Sequence, residues 1–334
     1  MAADRTVVAT SVKVGSLELA HPIIAASGTA GHGAELSAYG DLATLGAVVV
    51  KSLSAEAWAG NPPPRVHPIA QGMINAVGLQ GSGVAHWLAN DLPAMATAQA
   101  KAVVSIWGRS VEEYRRAAEL LSEGLESSPY RDTVIAVEVN LSCPNLSGHG
   151  IFAHDIELSA SVIATCMILQ RPLWAKLSPN TDRLVDVARA VQNAGASAVT
   201  LINTVVGLVL DPHTGRPVLG NGVGGLSGRA IHPVAVRAVF DVHAAVPDLA
   251  IVCVAAGLVP GILEDCARIG LGHIHILTSG FRETGLEQGK LLEQQIVAIA
   301  ADHAVVARAT VEHIAPAAAP DLVIAGISRQ PVCR

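Results

Sequence analysis

The chain has 334 residues, 51% of them apolar and only 15% charged, with a net charge of −6. That balance excludes a disordered chain and leaves no basic footprint for nucleic acid. The length admits one large α/β barrel or two ordinary domains. No apolar run reaches membrane-span length, and no basic stretch precedes an apolar core at the N-terminus. A cytoplasmic chain with no membrane association is therefore the expectation. The five cysteines (143, 166, 253, 266 and 333) form no CxxC pair and have no histidine at ligand spacing, so no metal site is expected.

Val7–Val14 and Leu17–Leu19, split by Gly15-Ser16, predict a hairpin within residues 1–20. Pro22–Ser27 reads as a buried strand, Tyr39–Leu45 as helical, and Ala47–Val50 as a strand ending at Lys51-Ser52. A long polar loop follows through Gln80. Val84–Met95 predicts helix, Ala102–Ile106 strand, and Val111–Glu123 helix, with Glu112 and Arg116 spaced to pair at i,i+4. Thr133–Val139 alternates as a strand. Helix over Ile156–Leu169 and strand over Leu173–Leu177 come next, then a helix through Gln192 capped by Thr181 or Asp182. Ala198–Ile202 reads as strand, residues 205–230 as a glycine-rich insertion, and Pro233–Ala245 as helix. Ala250–Ala255 and His273–Thr278 are the last strands, with helix around Ile262–Ile269; residues 286–334 read as a mostly helical extension.

Eight strand-then-helix units, with polar residues gathered where the strands end, predict a single-domain (β/α)8 TIM barrel over residues 1–334, with loop insertions at the C-terminal face. The stretch at the centre is Asn140-Leu141-Ser142-Cys143-Pro144-Asn145, just past a strand. A thiol stiffened by the following proline and flanked by two carboxamides suits a planar polar ligand. A turn with two Asx residues and an incidental buried thiol is the plainer reading of the same residues. Lys51 and Lys176 end apolar runs, where each needs an anionic or electron-rich partner. Snorkelling accounts for either lysine alone. Two lysines with Asn75, Asn140 and Asn203 at the ends or loops of different strands together outline a pocket for a ligand rich in carbonyls.

The ordered set Ser27-Gly28-Thr29, Lys51-Ser52, Asn61-Pro62-Pro63-Pro64-Arg65, Met73 to Gln80, Ser105 to Gly108, Glu138 to Asn145, Lys176 to Asn180, Leu201 to Thr204 and Gly224 to Gly228 resembles class 1 dihydroorotate dehydrogenases. Cysteine at position 143 matches the soluble, cysteine-base group. The resemblance implies FMN across the barrel mouth and oxidation of dihydroorotate to orotate in pyrimidine biosynthesis. It assigns Cys143 as base, with Lys51 and Lys176 completing the catalytic set. Asn75, Gly78, Leu79, Asn140, Asn145, Asn203 and Thr204 would hold substrate. Ser27, Gly28, Lys51, Ser52, Asn140, Lys176, Ile202, Gly228, Ala256, Gly257, Leu277 and Thr278 would hold FMN. A homodimer is implied, with either a small soluble acceptor or a separate electron-transfer subunit taking the electrons.

Two positions depart from the family pattern. Ala256 stands where the family has the first glycine of a pair, and Leu277 replaces the glycine before Thr278. Trp107 and Trp174 are also larger than the pattern leads one to expect. The competing readings are a barrel recruited to another substrate, with weakened or lost FMN, and a non-catalytic paralogue.

Overall fold

In the computed structural model, residues 11–21, 23–142, 152–246, 273–276 and 306–309 are described. The chain opens with β1 (Val12–Val14) and β2 (Leu17–Leu19), an antiparallel pair turned at Gly15, whose φ of +56° suits glycine. Next come β3 (Ile24–Ala25) and β4 (Ala47–Val49), then the antiparallel hairpin β5 (Val66–Ile69) and β6 (Gly72–Asn75). Helix α1 (Val84–Thr97), β7 (Ala102–Ile106), α2 (Val111–Ser127) and β8 (Val134–Asn140) follow. After them stand α3 (Ile156–Cys166), β9 (Leu173–Lys176), α4 (Leu184–Asn193) and β10 (Ala198–Thr200). The described chain ends with β11 (Val205–Gly207), β12 (Gly224–Ser227), α5 (His232–Ala245), β13 (His273–Ile276) and β14 (Val306–Ala309).

Six of these strands form one parallel sheet in the order β10-β9-β8-β7-β4-β3. The sheet curls as a half-barrel, and the fold is the TIM barrel expected. Strands buried on both faces read as continuous apolar runs, which is why Ala102–Ile106 is entirely buried. Helices cover the outside through narrow stripes. On α2 the buried residues Tyr114, Ala117, Ala118, Leu121 and Leu125 recur at helical spacing. Ser110 caps this helix by accepting the Glu113 N–H at 3.2 Å. Truncating fully buried Leu121 to Ala would cost about 2–5 kcal/mol.

Several sequence expectations are corrected. Tyr39–Leu45 is not one helix: short 3-10 turns occupy Glu35–Ala38 and Leu42–Thr44, and the second is capped by Asp41 accepting the Ala43 N–H at 2.9 Å. Glu112 pairs with Arg115 at 3.4 Å, one residue nearer than Arg116. Neither Thr181 nor Asp182 caps α4; Arg183 stands at its N-cap without a side-chain bond, and Thr181 Oγ1 accepts from Arg183 N at 3.1 Å instead. The long polar loop contains the β5–β6 hairpin, and the glycine-rich insertion contributes β11 and β12. These four strands form a second, antiparallel sheet, β11-β12-β6-β5. Inside the expected helical extension, Val306–Ala309 is strand and pairs in parallel with β13. The strand expected over Ala250–Ala255 and the helix around Ile262–Ile269 lie outside the described residues.

Candidate active site

Parallel strands deliver their C-terminal ends to one rim, and the site residues stand there. Strand β4 leads into Lys51-Ser52, β8 ends at Asn140, β9 ends at Lys176, and β10 runs on to Ile202-Asn203-Thr204. Register pairs Asn140 with Lys176 on neighbouring strands. Lys176 is 6% exposed and Asn140 4% exposed. Lys51 is half-buried, and its backbone N–H holds the Gly31 carbonyl at 2.9 Å. Burial pushes the Lys51 amine below the usual lysine range, and the nearby Arg65 charge pushes it the same way. Among the described residues neither lysine makes an ion pair. A buried cation at Lys176 and a half-buried one at Lys51, neither ion-paired among the described residues, suit an anionic or electron-rich ligand.

The carboxamides are fixed by their neighbours. Asn203 Nδ2 donates to Ser142 Oγ at 2.9 Å, and its Oδ1 accepts from Thr204 N at 2.9 Å. Asn140 Oδ1 accepts from Ser142 Oγ at 2.9 Å, and Asn140 Nδ2 donates to Ser52 Oγ at 3.0 Å. Tyr114 of α2 braces the same strand end, its hydroxyl donating to the Asn140 carbonyl at 2.6 Å. Asn75 arrives from the second sheet. It pairs with Gly225, to whose carbonyl its Nδ2 donates at 3.3 Å. A Cβ at Gly225 would sit 2.0 Å from Thr204 Oγ1, so this close approach joins Thr204 to the strand carrying Asn75.

Gly78 and Leu79 lie in a loop of left-handed backbone, with φ of +73° and +58°. Trp58 Nε1 donates to the Gly78 carbonyl at 2.9 Å, and Asn61 Nδ2 to the Ala76 carbonyl at 3.2 Å. Arg65 adds bonds to the Ala59 carbonyl at 3.0 Å and to Gln80 Oε1. Trp58 itself lies edge-on to Trp107, with Arg109 over its ring at 4.6 Å from the centroid. Trp107, singled out as oversized, thus packs against the residue that holds this loop. Ser27 reaches the group through Ser52 at 3.5 Å between hydroxyl oxygens. Gly28 has a φ of +91° and open space where a Cβ would be. Gly228, assigned to the cofactor, packs on Gly72, whose Cα lies 2.6 Å from where its Cβ would be. Cys143, Asn145, Ala256, Gly257, Leu277 and Thr278 lie outside the described residues.

A family model described as dihydroorotate dehydrogenase matches residues 9–260. The chain belongs to the dihydroorotate dehydrogenase family. It is 45% identical over 240 residues to the catalytic subunit of dihydroorotate dehydrogenase B (NAD(+)) of Trichlorobacter lovleyi, covering 71% of this chain and 77% of that one. The catalytic subunit of the same name from Pelobacter propionicus is 38% identical over 299 residues, 87% of this chain and 96% of that one. In fold, the chain resembles the DHODH of Eimeria tenella solved with ferulenol, with TM-score 0.57 and 16% identity over 88% of this chain and 84% of that chain.

Dihydroorotate dehydrogenases use a flavin, and the described donors fit one. Buried Lys176 lacks an ion pair among the described residues, Gly28 leaves an open approach, and the hydroxyls and carboxamides at the strand ends suit a planar ring edged with carbonyls and nitrogens. Sequence reasoning gave no role to Ser105, Ser142 or Glu138. A signal for Glu138 was present: it is two residues from Asn140 on β8, so both project to one face.

Proposed function

We propose that the chain oxidises dihydroorotate to orotate, with FMN as its flavin, as the catalytic subunit of a cytoplasmic assembly. The observation that supports this reading best is the Asn140–Lys176 pair, a buried carboxamide beside a buried cation that has no ion pair among the described residues. A bound FMN would supply the hydride acceptor. Cys143 would take the proton from C5 of the substrate as the hydride leaves C6. Asn75, Asn140, Asn145 and Asn203 would hold the substrate's carboxylate and carbonyls. Lys176 would offset negative charge gained by the ring, and Lys51 would serve ring and substrate together.

The names of the relatives as catalytic subunits of an NAD(+)-linked enzyme favour a separate electron-transfer subunit as the electron acceptor; the homodimer is carried by the family resemblance alone. The test is anaerobic mixing of the FMN-loaded protein with dihydroorotate while the flavin absorbance is followed. Bleaching with stoichiometric orotate is the expected result. Flavin that stays oxidised would point to a barrel recruited to another substrate, and a protein that takes up no flavin would overturn the redox reading.

A further inference from the structure

Beneath the rim, a hydrogen-bond chain runs inward and ends on a buried carboxylate. Its links are Asn203 Nδ2 to Ser142 Oγ at 2.9 Å, Ser142 Oγ to Asn140 Oδ1 at 2.9 Å, and Asn140 Nδ2 to Ser52 Oγ at 3.0 Å. Ser52 Oγ then meets Ser105 Oγ at 2.8 Å, and Ser105 Oγ meets Glu138 Oε1 at 3.0 Å. Ser105 is fully buried and Glu138 is 1% exposed.

The links of this chain have a definite direction. The Ser142 backbone N–H also points at Asn140 Oδ1, at 3.3 Å, which sets that carboxamide with its oxygen toward Ser142 and its NH2 toward Ser52. Ser52 accepts from Asn140 and so donates onward. Its nearest hydroxyl is Ser105 rather than Ser27, which is 3.5 Å away. Ser105 donates in turn to Glu138 Oε1 at 3.0 Å. The backbone N–H groups of Ser142 and Thr204 thus orient the two carboxamides, and the donor chain that leaves the Asn140 NH2 through Ser52 and Ser105 ends on Glu138. Reversing the Ser52–Ser105 link would leave the Ser105 oxygen facing the Glu138 carboxyl oxygen, acceptor against acceptor in a buried site, which costs more than an ordinary hydrogen bond contributes.

We infer that Glu138 is a positioning residue: through Ser105 and Ser52 it anchors the Asn140 carboxamide in the orientation that the Ser142 backbone N–H selects, and through Ser142 it steadies Asn203. It carries a second consequence. Register places Trp174 opposite Glu138 and Lys176 opposite Asn140, so the carboxylate stands two residue pairs below the buried lysine on the same face of the sheet. A negative charge there opposes the pull of Lys176 on electrons entering the flavin. This inference rests on the functional reading above.

Two variants test it on the FMN-loaded protein, with orotate affinity from flavin absorbance and the flavin reduction potential as readouts. Ser105→Ala removes a link and leaves the charge; Glu138→Gln removes the charge that makes this end accept only. Both are expected to weaken orotate binding about tenfold, the worth of a hydrogen bond in a buried network, with FMN retained. Glu138→Gln alone is expected to raise the reduction potential. Orotate affinity within about twofold of the parent in either variant overturns the positioning role, since one intact link is worth more than that. If Glu138→Gln does not fold, Ser105→Ala decides alone. A parent that takes up no FMN or binds no orotate overturns the functional reading and this inference with it. A parent that binds both and variants that match it overturn this inference only.

Discussion

The Asn203 carboxamide donates to the Ser142 hydroxyl at 2.9 Å, tying the end of β10 to the residue immediately before Cys143. Ser142 is thereby held between Asn203 on one side and Asn140 on the other. Precision of this kind matters for proton abstraction, where small misplacements are costly.

Cys143→Ser is expected to slow flavin reduction at saturating dihydroorotate by roughly 10²-fold or more, the usual cost of losing a general base, while substrate still binds. Stopped-flow absorbance checks it. An unchanged rate would remove Cys143 from that role.

Lys176→Met should separate stability from function. The lysine is buried at 6% exposure with no ion pair among the described residues, so the FMN-free protein is expected to melt higher without it. The FMN-loaded variant should lose about 3 kcal/mol of stabilisation in the step that the charge assists, seen as a lower flavin reduction potential. Lys51→Met, at a half-buried position, should lower the potential less. A potential unmoved by Lys176→Met would refute the assignment.

Gly225→Ala probes the joint between the two sheets. The added methyl would lie 2.0 Å from Thr204 Oγ1, so Thr204 or β12 must move. Overpacking of this sort costs about 1–3 kcal/mol, and orotate affinity should fall with the displacement of Thr204 and Asn75. Isothermal titration of the variant with orotate measures it; parent-like affinity would mean that Thr204 is not a substrate contact.

Cys166 on α3 is buried, and burial pushes its thiol up to about 12. The native thiol should resist alkylation at neutral pH. The pH dependence has a definite sign. Between the ordinary thiol pKa of about 8.5 and the raised native value, the unfolded chain releases a proton that the native chain keeps, so stability is present below this window and is lost as pH rises through it. Urea midpoints of the parent and of Cys166→Ala, compared from pH 8 to pH 10.5, should converge or cross in the variant's favour by about 1.4 kcal/mol per pH unit. A constant difference would contradict the burial of this thiol.

Much of the barrel was legible because buried parallel strands leave unbroken apolar runs. Ala102–Ile106 was read to the residue, and the rim followed from polar residues such as Asn140, Lys176 and Asn203 at the run ends. The second sheet was not legible. Val66–Ile69 contains Pro68 and alternates exposed with half-buried residues, so it resembles a loop in composition; it becomes a strand only by pairing with Gly72–Asn75. Residues 39–45 misled because Tyr39, Leu42 and Leu45 are spaced as on one helix, while Tyr39 closes the turn over Glu35–Ala38 and Gly40 and Asp41 separate it from the turn over Leu42–Thr44. Glu138 was hidden for another reason: one charge inside an apolar strand acquires its meaning from Ser105 and Ser52, which only the fold brings beside it.

The pairing of Met73–Asn75 with Gly225–Ser227 also has a temporal meaning. These partners are separated by most of the barrel, so the mouth sheet can close only after the intervening strands have been made and stacked, when the loop-closure cost has already been met by other contacts. During synthesis β6 therefore waits with an open edge while β7 to β10 emerge behind it. The six-stranded wall thus precedes the sheet at its mouth.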